Sequence, residues 1–228
     1  MKHSAFILAA LVFLSTAVSY AQPSDRSFIR EQISNRGGCR NVAITCTNGD
    51  LMLYGRNGWA ANYCPKALTD ALNELSNNNE FIDDVQLTEN GEWLILYGDN
   101  GLRWSNIPYR MEVQLRKYNA DNEIITSAVF NDVGEWVIIT DEHISASSDD
   151  VMDWLEGGIE KYGQLWTCCL TDDAAVAVYE GGYRFLGEVP ESLKDTLNEV
   201  DFDVYRVKIA GTAWFISDNS DENYDYIM

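Results

Sequence analysis

The chain has 228 residues and a formal charge of −20 at pH 7, from 16 Lys and Arg against 36 Asp and Glu. So acidic a composition argues against nucleic acid and anionic membrane as partners, because phosphate recognition needs basic side chains in excess. The charge serves either the solubility of an exported protein or the binding of cations or a basic partner.

Residues 1–21 read as an export signal. Lys2 supplies the positive start, Phe6 to Leu14 the apolar core, and Ser19 and Ala21 the small residues before a cleavage after Ala21. The apolar run is too short to span a bilayer, and no cysteine at the junction offers a lipid anchor. The expected product is secreted or periplasmic, with no membrane insertion of the mature chain. Residues 22–228 suffice for a single domain with a sizeable core.

A helix is expected over 23–36. It starts at Pro23-Ser24-Asp25 and carries Phe28, Ile29 and Ile33 as apolar positions. A first strand follows near Val42. From there one unit recurs. Leu53-Tyr54-Gly55-Arg56-Asn57-Gly58 returns as Leu96-Tyr97-Gly98-Asp99-Asn100-Gly101, 43 residues on. The same offset carries Pro65 onto Pro108, Leu72 onto Leu115 and Gly91-Glu92-Trp93 onto Gly134-Glu135-Trp136. An offset of 82 carries Tyr97 onto Tyr179 and Pro108 onto Pro190, and a further 39 carries Ala175 onto Trp214. A period near 41 residues marks a repeat architecture.

Residues 82–120 show one unit in full. A β-rich segment, Ile82 to Leu87, ends at the hairpin turn Glu89-Asn90-Gly91. Trp93-Leu94-Ile95-Leu96-Tyr97 is a near-continuous apolar run, as in a strand buried on both faces. Gly98-Asp99-Asn100-Gly101 turns the chain into a short third strand, and Pro108 opens a helix whose buried stripe is Met111, Leu115 and Tyr118. The helical stripes of the other units are Leu68, Leu72 and Leu75; Met152, Leu155, Ile159 and Tyr162; and Leu193, Leu197 and Val200. Gly157-Gly158 weakens the third of these four helices by about 1 kcal/mol per glycine.

The expected fold class is therefore an α+β repeat protein of about five β-β-β-α units. They run approximately over 39–79, 80–121, 122–163, 164–201 and 202–228. The last unit ends in a third strand over 224–228 with no helix after it, and helix 23–36 supplies the missing one. That arrangement predicts a closed ring without unpaired sheet edges; the alternative is an open solenoid arc. In topology alone the units resemble the pentein ring and a small β-propeller whose outer strand is replaced by a helix.

Catalytic candidates are sparse. His143 is the only histidine outside the signal, at the turn Asp141-Glu142-His143. Cys39, Cys46, Cys64, Cys168 and Cys169 are odd in number, so an exported monomer keeps at least one thiol unpaired. Adjacent Cys168 and Cys169 point to opposite faces of a strand. Asp83-Asp84, Asp149-Asp150, Asp172-Asp173 and Asp221-Glu222 read as acids flanking turns and helix starts. Asp218 to Glu222 match no EF-hand spacing and read as a solvated loop. No catalytic residue, cofactor or metal is assigned.

The candidate ligand-binding residues are Tyr54, Trp59, Tyr97, Trp104, Tyr179 and Tyr183, which recur beside the glycines of the second-to-third strand turns. On one rim of a ring they form stacking platforms; otherwise they pack the units together. Trp93, Trp136 and Trp214 sit inside strands and belong to the core. The function expected is an exported, non-catalytic binding or interaction module for a glycan, peptide or protein. A secreted hydrolase with a carboxylate or Cys-His site, and a structural or assembly protein, are the alternatives.

Overall fold

Short apolar runs broken by Asn-Gly and Gly-rich turns fold into hairpins, and the amphipathic segments between them fold into helices. The computed structural model describes residues 26–47 and 49–228; the expected export signal, the cleavage expected after Ala21 and the helix start expected at Pro23-Ser24-Asp25 lie outside the described residues. Helix α1 (Ser27–Arg36) leads into strands β1 (Asn41–Ile44), β2 (Asp50–Tyr54) and β3 (Gly58–Asn62), then α2 (Lys66–Asn77). The second unit is β4 (Ile82–Leu87), β5 (Trp93–Tyr97), β6 (Gly101–Ser105) and α3 (Tyr109–Asp121). The third is β7 (Ile125–Phe130), β8 (Trp136–Thr140), β9 (Ile144–Ala146) and α4 (Asp149–Tyr162). The fourth is β10 (Leu165–Leu170), β11 (Ala174–Tyr179), β12 (Gly182–Gly187) and α5 (Glu191–Glu199). The chain finishes with β13 (Arg206–Ala210), β14 (Ala213–Ser217) and β15 (Tyr224–Ile227).

Each trio of strands forms its own antiparallel sheet with the second strand in the middle. The first four sheets are each followed by a helix. Prolines 65, 108 and 190 occupy the N-cap position of α2, α3 and α5 with ψ near 130°, one residue earlier than a helix-opening proline. Helix α4 has no proline and is capped by Ser148, whose Oγ accepts from the Val151 amide at 3.4 Å. In the first two units a turn asparagine fastens the second hairpin to the C-terminal end of the helix or the residues just after it. Asn57 donates to the Ser76 carbonyl at 2.9 Å and Asn100 to the Glu123 carbonyl at 2.7 Å.

The core is divided among five clusters, each made by one sheet, one helix and the next sheet. Leu51, Leu72 and Ile95 belong to the first, and Leu94, Leu115 and Ile138 to the second. Val137, Leu155 and Ala177 belong to the third, and Val176, Leu193 and Ile216 to the fourth. The fifth unites Phe215 of the last sheet, Ile29 and Ile33 of α1, and Val42 and Met52 of the first sheet. Consistently, β1 touches β4, β4 touches β7, β7 touches β10, β10 touches β13, and β13 touches β1. The shorter last hairpin pairs Trp214 with Ile209, the register position that Ala177 holds opposite Cys168. Trp214 is therefore equivalent to Ala177 rather than to Ala175.

Two details show how the units fit. In α4, a Cβ on Gly158 would lie 2.1 Å from the Tyr179 hydroxyl oxygen, so this glycine admits the Tyr179 ring; the hydroxyl donates to the Leu155 carbonyl at 3.1 Å. At the first hairpin tips, Glu89 accepts from the Thr47 amide at 3.1 Å, Asp132 from the Glu89 amide at 2.9 Å and Asp172 from the Asp132 amide at 3.1 Å. Acids at these tips thus brace one unit against the one before. No helix among the described residues is long and apolar enough to cross a membrane.

Candidate functional site

The first strands of the five sheets meet one another, and each brings one polar side chain to the same register position. Asn41, Asp84, Ser127, Thr167 and Lys208 lie opposite Leu53, Leu96, Ile139, Val178 and Phe215 respectively. All five are buried. Asp84 Oδ1 accepts from Asn41 Nδ2 and from Lys208 Nζ, both at 2.7 Å, and Oδ2 accepts from Gln86 at 2.8 Å. Burial opposes ionisation of Asp84, yet the Lys208 ammonium and the Arg206 guanidinium hold its carboxyl down at about 2. Ser127 and Thr167 face each other at 3.3 Å. This belt is a satisfied internal brace with no accessible reacting group.

Just outside the belt, β4, β7 and β10 each carry a register shift, between Ile82 and Asp84, Ile125 and Ser127, and Leu165 and Thr167. A bulge adds an unpaired residue and re-aims its side chain. The three extra residues, Asp83, Thr126 and Trp166, all line one cleft of about 630 Å³, together with Tyr205, Arg206 and Asn219. Asp83 accepts from Arg206 at 2.8 Å and from Asn219 Nδ2 at 2.8 Å, and Arg40 donates to the Asn219 side chain at 2.9 Å. The first, second and last units are thereby tied together. Asn219 belongs to the β14–β15 turn, which also sends Asp221 to the Gly55 amide at 2.8 Å. The segment 218–222, expected as a solvated loop, is instead a latch onto the first unit. Asp218 accepts from the Ser220 amide and from Asn223 Nδ2, both at 2.7 Å.

Trp166 and Tyr205 pack against each other with ring centroids 5.1 Å apart. Trp166 also lines a second cleft of about 660 Å³, walled by Tyr162, Tyr183, Phe185 and Phe202. The two clefts therefore adjoin at the Trp166 ring, with Tyr205 packed against it on the side of the first cleft.

The six candidate aromatics divide. Tyr97 lines the first cleft, and Tyr179 and Tyr183 line the second. Tyr179 is 1% exposed and acts as a core residue between α4 and β11. The Tyr54 and Tyr97 rings fold back over Gly58 and Gly101, where a Cβ would come within 2.3 and 2.4 Å of them. That explains the recurrence of tyrosine beside glycine. Tyr54 lies under the Arg36 guanidinium at 4.8 Å and Trp104 under that of Arg116 at 4.8 Å, while Trp59 packs on the first core cluster. Tyr54, Trp59 and Trp104 line neither cleft.

All five cysteines are free thiols. Cys168 and Cys169 enter different core clusters, on opposite faces of β10. Burial pushes the Cys64 thiol up to about 12, and burial together with Glu89 pushes Cys46 up to about 11. His143 Nδ1 lies 3.0 Å from Glu123, and its ring stacks on Tyr118. Thr140 donates to the same carboxylate at 2.7 Å, and these hydrogen bonds hold Glu123 below its usual range although burial opposes this. Among the described residues no group of three or more His, Cys, Asp or Glu is placed to hold a metal ion.

No protein-family model matches this sequence, and no curated protein matches it.

The residues missed from sequence are the three bulge residues and the Trp166–Tyr205 pair. A signal for them exists. Alignment of the repeats puts Arg40, Asp83, Thr126, Trp166 and Val207 in one column just before the polar belt residues, and the chemistry of that column changes from unit to unit.

Proposed function

We propose that this chain is an exported, non-catalytic binding module: a closed ring of five units that takes a glycan or peptide ligand on the face bearing the two clefts. Closure is supported by the core shared among Phe215, Ile29 and Val42, by contact of β13 with β1, and by the latch from Asn219 and Asp221. Binding is supported chiefly by one observation: two adjoining clefts share the Trp166 ring, which packs on Tyr205 of the first cleft to make an aromatic platform bordered by polar groups. The bulges place chemically different side chains on a repeated frame, which suits selection of a ligand.

The hydrolase alternative draws less support. Burial holds the thiols in their protonated form, and a thiolate is the nucleophile that Cys-His chemistry needs. Asp83, the bulge carboxylate, is committed to Arg206 and Asn219.

A glycan and peptide array probed with the mature protein tests the binding reading. Trp166→Ala and Tyr205→Ala are expected to abolish the signal, while Trp59→Ala and Trp104→Ala keep it. Full retention in Trp166→Ala would move the site away from the clefts.

A further inference from the structure

The second cleft has a charge character of its own. Its walls carry Tyr162, Trp166, Tyr183, Phe185 and Phe202, and its polar border carries the carboxylates Glu180 and Asp203. No lysine or arginine is among its lining residues. The Asp203 carboxylate is close enough to Tyr183 to add to burial in pushing that phenol up. Aromatic faces carry negative potential and attract ammonium and guanidinium groups, most strongly where water is displaced. The protein uses its own rings in this way. Lys161 Nζ lies 4.5 Å above the Tyr162 ring, and Lys194 Nζ lies 6.0 Å from that of Phe185. Neither lysine lines the cleft, and Lys194 is held by Glu191 at 2.7 Å.

Building on the binding reading above, we infer that the second cleft receives the cationic side chain of a basic peptide, with Trp166, Tyr183 and Phe202 as stacking faces and Glu180 and Asp203 as counter-charges. The formal charge of −20 makes the long-range field complementary to such a partner and adds steering that salt weakens. A neutral sugar would stack on the same rings and donate hydroxyl hydrogen bonds to the two carboxylates, but it would leave their charge uncompensated.

The test is calorimetric titration of the mature protein with a Gly-Ser heptapeptide carrying one central lysine, beside counterparts carrying arginine, norleucine or glutamate there. The lysine and arginine peptides should bind about tenfold more tightly than the norleucine peptide, the scale of a desolvated cation–aromatic contact assisted by carboxylates. The Glu180→Gln/Asp203→Asn double variant should lose most of that preference, while Phe202→Leu weakens the lysine, arginine and norleucine peptides alike. If the double variant fails to fold by circular dichroism, the wild-type preference is measured across a rise in salt from about 0.05 to about 0.5 M and should shrink severalfold. Equal affinity of the norleucine peptide, a salt-independent preference, or no binding of the lysine peptide would overturn the inference. A glycan signal on the array that depends on Trp166, with no cationic preference, would leave the binding module standing and remove only the basic peptide. Silence of both array and titration would remove both.

Discussion

Lys208 Nζ and Asp84 Oδ1 lie 2.7 Å apart, both buried, although they stand 124 positions apart in the chain. The pair joins the last sheet to the second, and Asn41 of the first sheet shares the same carboxylate oxygen. Lys208 is therefore as much a topological tie as a salt bridge.

Removing one partner leaves the other buried and uncompensated. Lys208→Met should cost about 3–5 kcal/mol of unfolding free energy. Lys208→Met with Asp84→Leu should recover a large part of that loss, because no stranded charge remains. Urea unfolding at pH 7 of the two variants measures both. Equal losses in the single and the double variant would show that the pair adds favourable energy beyond cancelling its own desolvation.

The pH dependence has a fixed sign. The Asp84 carboxyl falls from an unfolded value of about 3.9 to a folded value of about 2, so its contribution is complete above the unfolded value and disappears as pH falls through the folded one. The amount is about 2–3 kcal/mol, lost between about pH 4 and pH 2. Denaturant midpoints across that window should fall more steeply for the native chain than for the Asp84→Leu/Lys208→Met protein.

Gly158→Ala sets two effects against each other. Alanine improves helix propensity by about 1 kcal/mol, but the new methyl would collide with the Tyr179 ring, which is buried and hydrogen-bonded to α4. Overpacking should win, with a net loss of about 1–2 kcal/mol in thermal or urea unfolding. Gly157→Ala meets the end of the Arg184 side chain instead, which can shift, so its loss should be smaller. The reverse order would show that Tyr179 does not require the glycine.

The thiols supply a chemical check. With Cys46 raised to about 11 and Cys64 to about 12 by burial first, both remain thiols at pH 7.5. The folded protein should react with iodoacetamide far more slowly than the chain in guanidinium, where all five cysteines are modified. Rapid alkylation of one folded-state cysteine would revive a nucleophilic role.

The repeat was legible because the Leu-Tyr-Gly and Gly-Glu-Trp segments satisfy local requirements that recur: a left-handed glycine (Gly55 and Gly98 have φ of 55° and 59°) and a strand buried on both faces. Such requirements depend on neighbours close in sequence. The bulges were not legible, since Asp83, Thr126 and Trp166 interrupt their strands only through pairing with β5, β8 and β11. The belt was hidden in the same way. Asp84 reads as half of an acidic pair until Lys208 and Asn41 arrive from other sheets. Gly157-Gly158 reads as a helix weakness because the Tyr179 ring that fills the space lies on another element.

Closure of the five units is tested most directly by a distance across the seam. Nitroxides attached through non-natural residues at Ser34 on α1 and Asp225 on β15, both exposed, leave the native thiols untouched. A helix packed on a sheet at about 10 Å predicts a narrow distribution below about 25 Å once label arms are included. Five units in an open arc at about 10 Å or more per layer would place the labels beyond about 40 Å, and that result would contradict the closed ring.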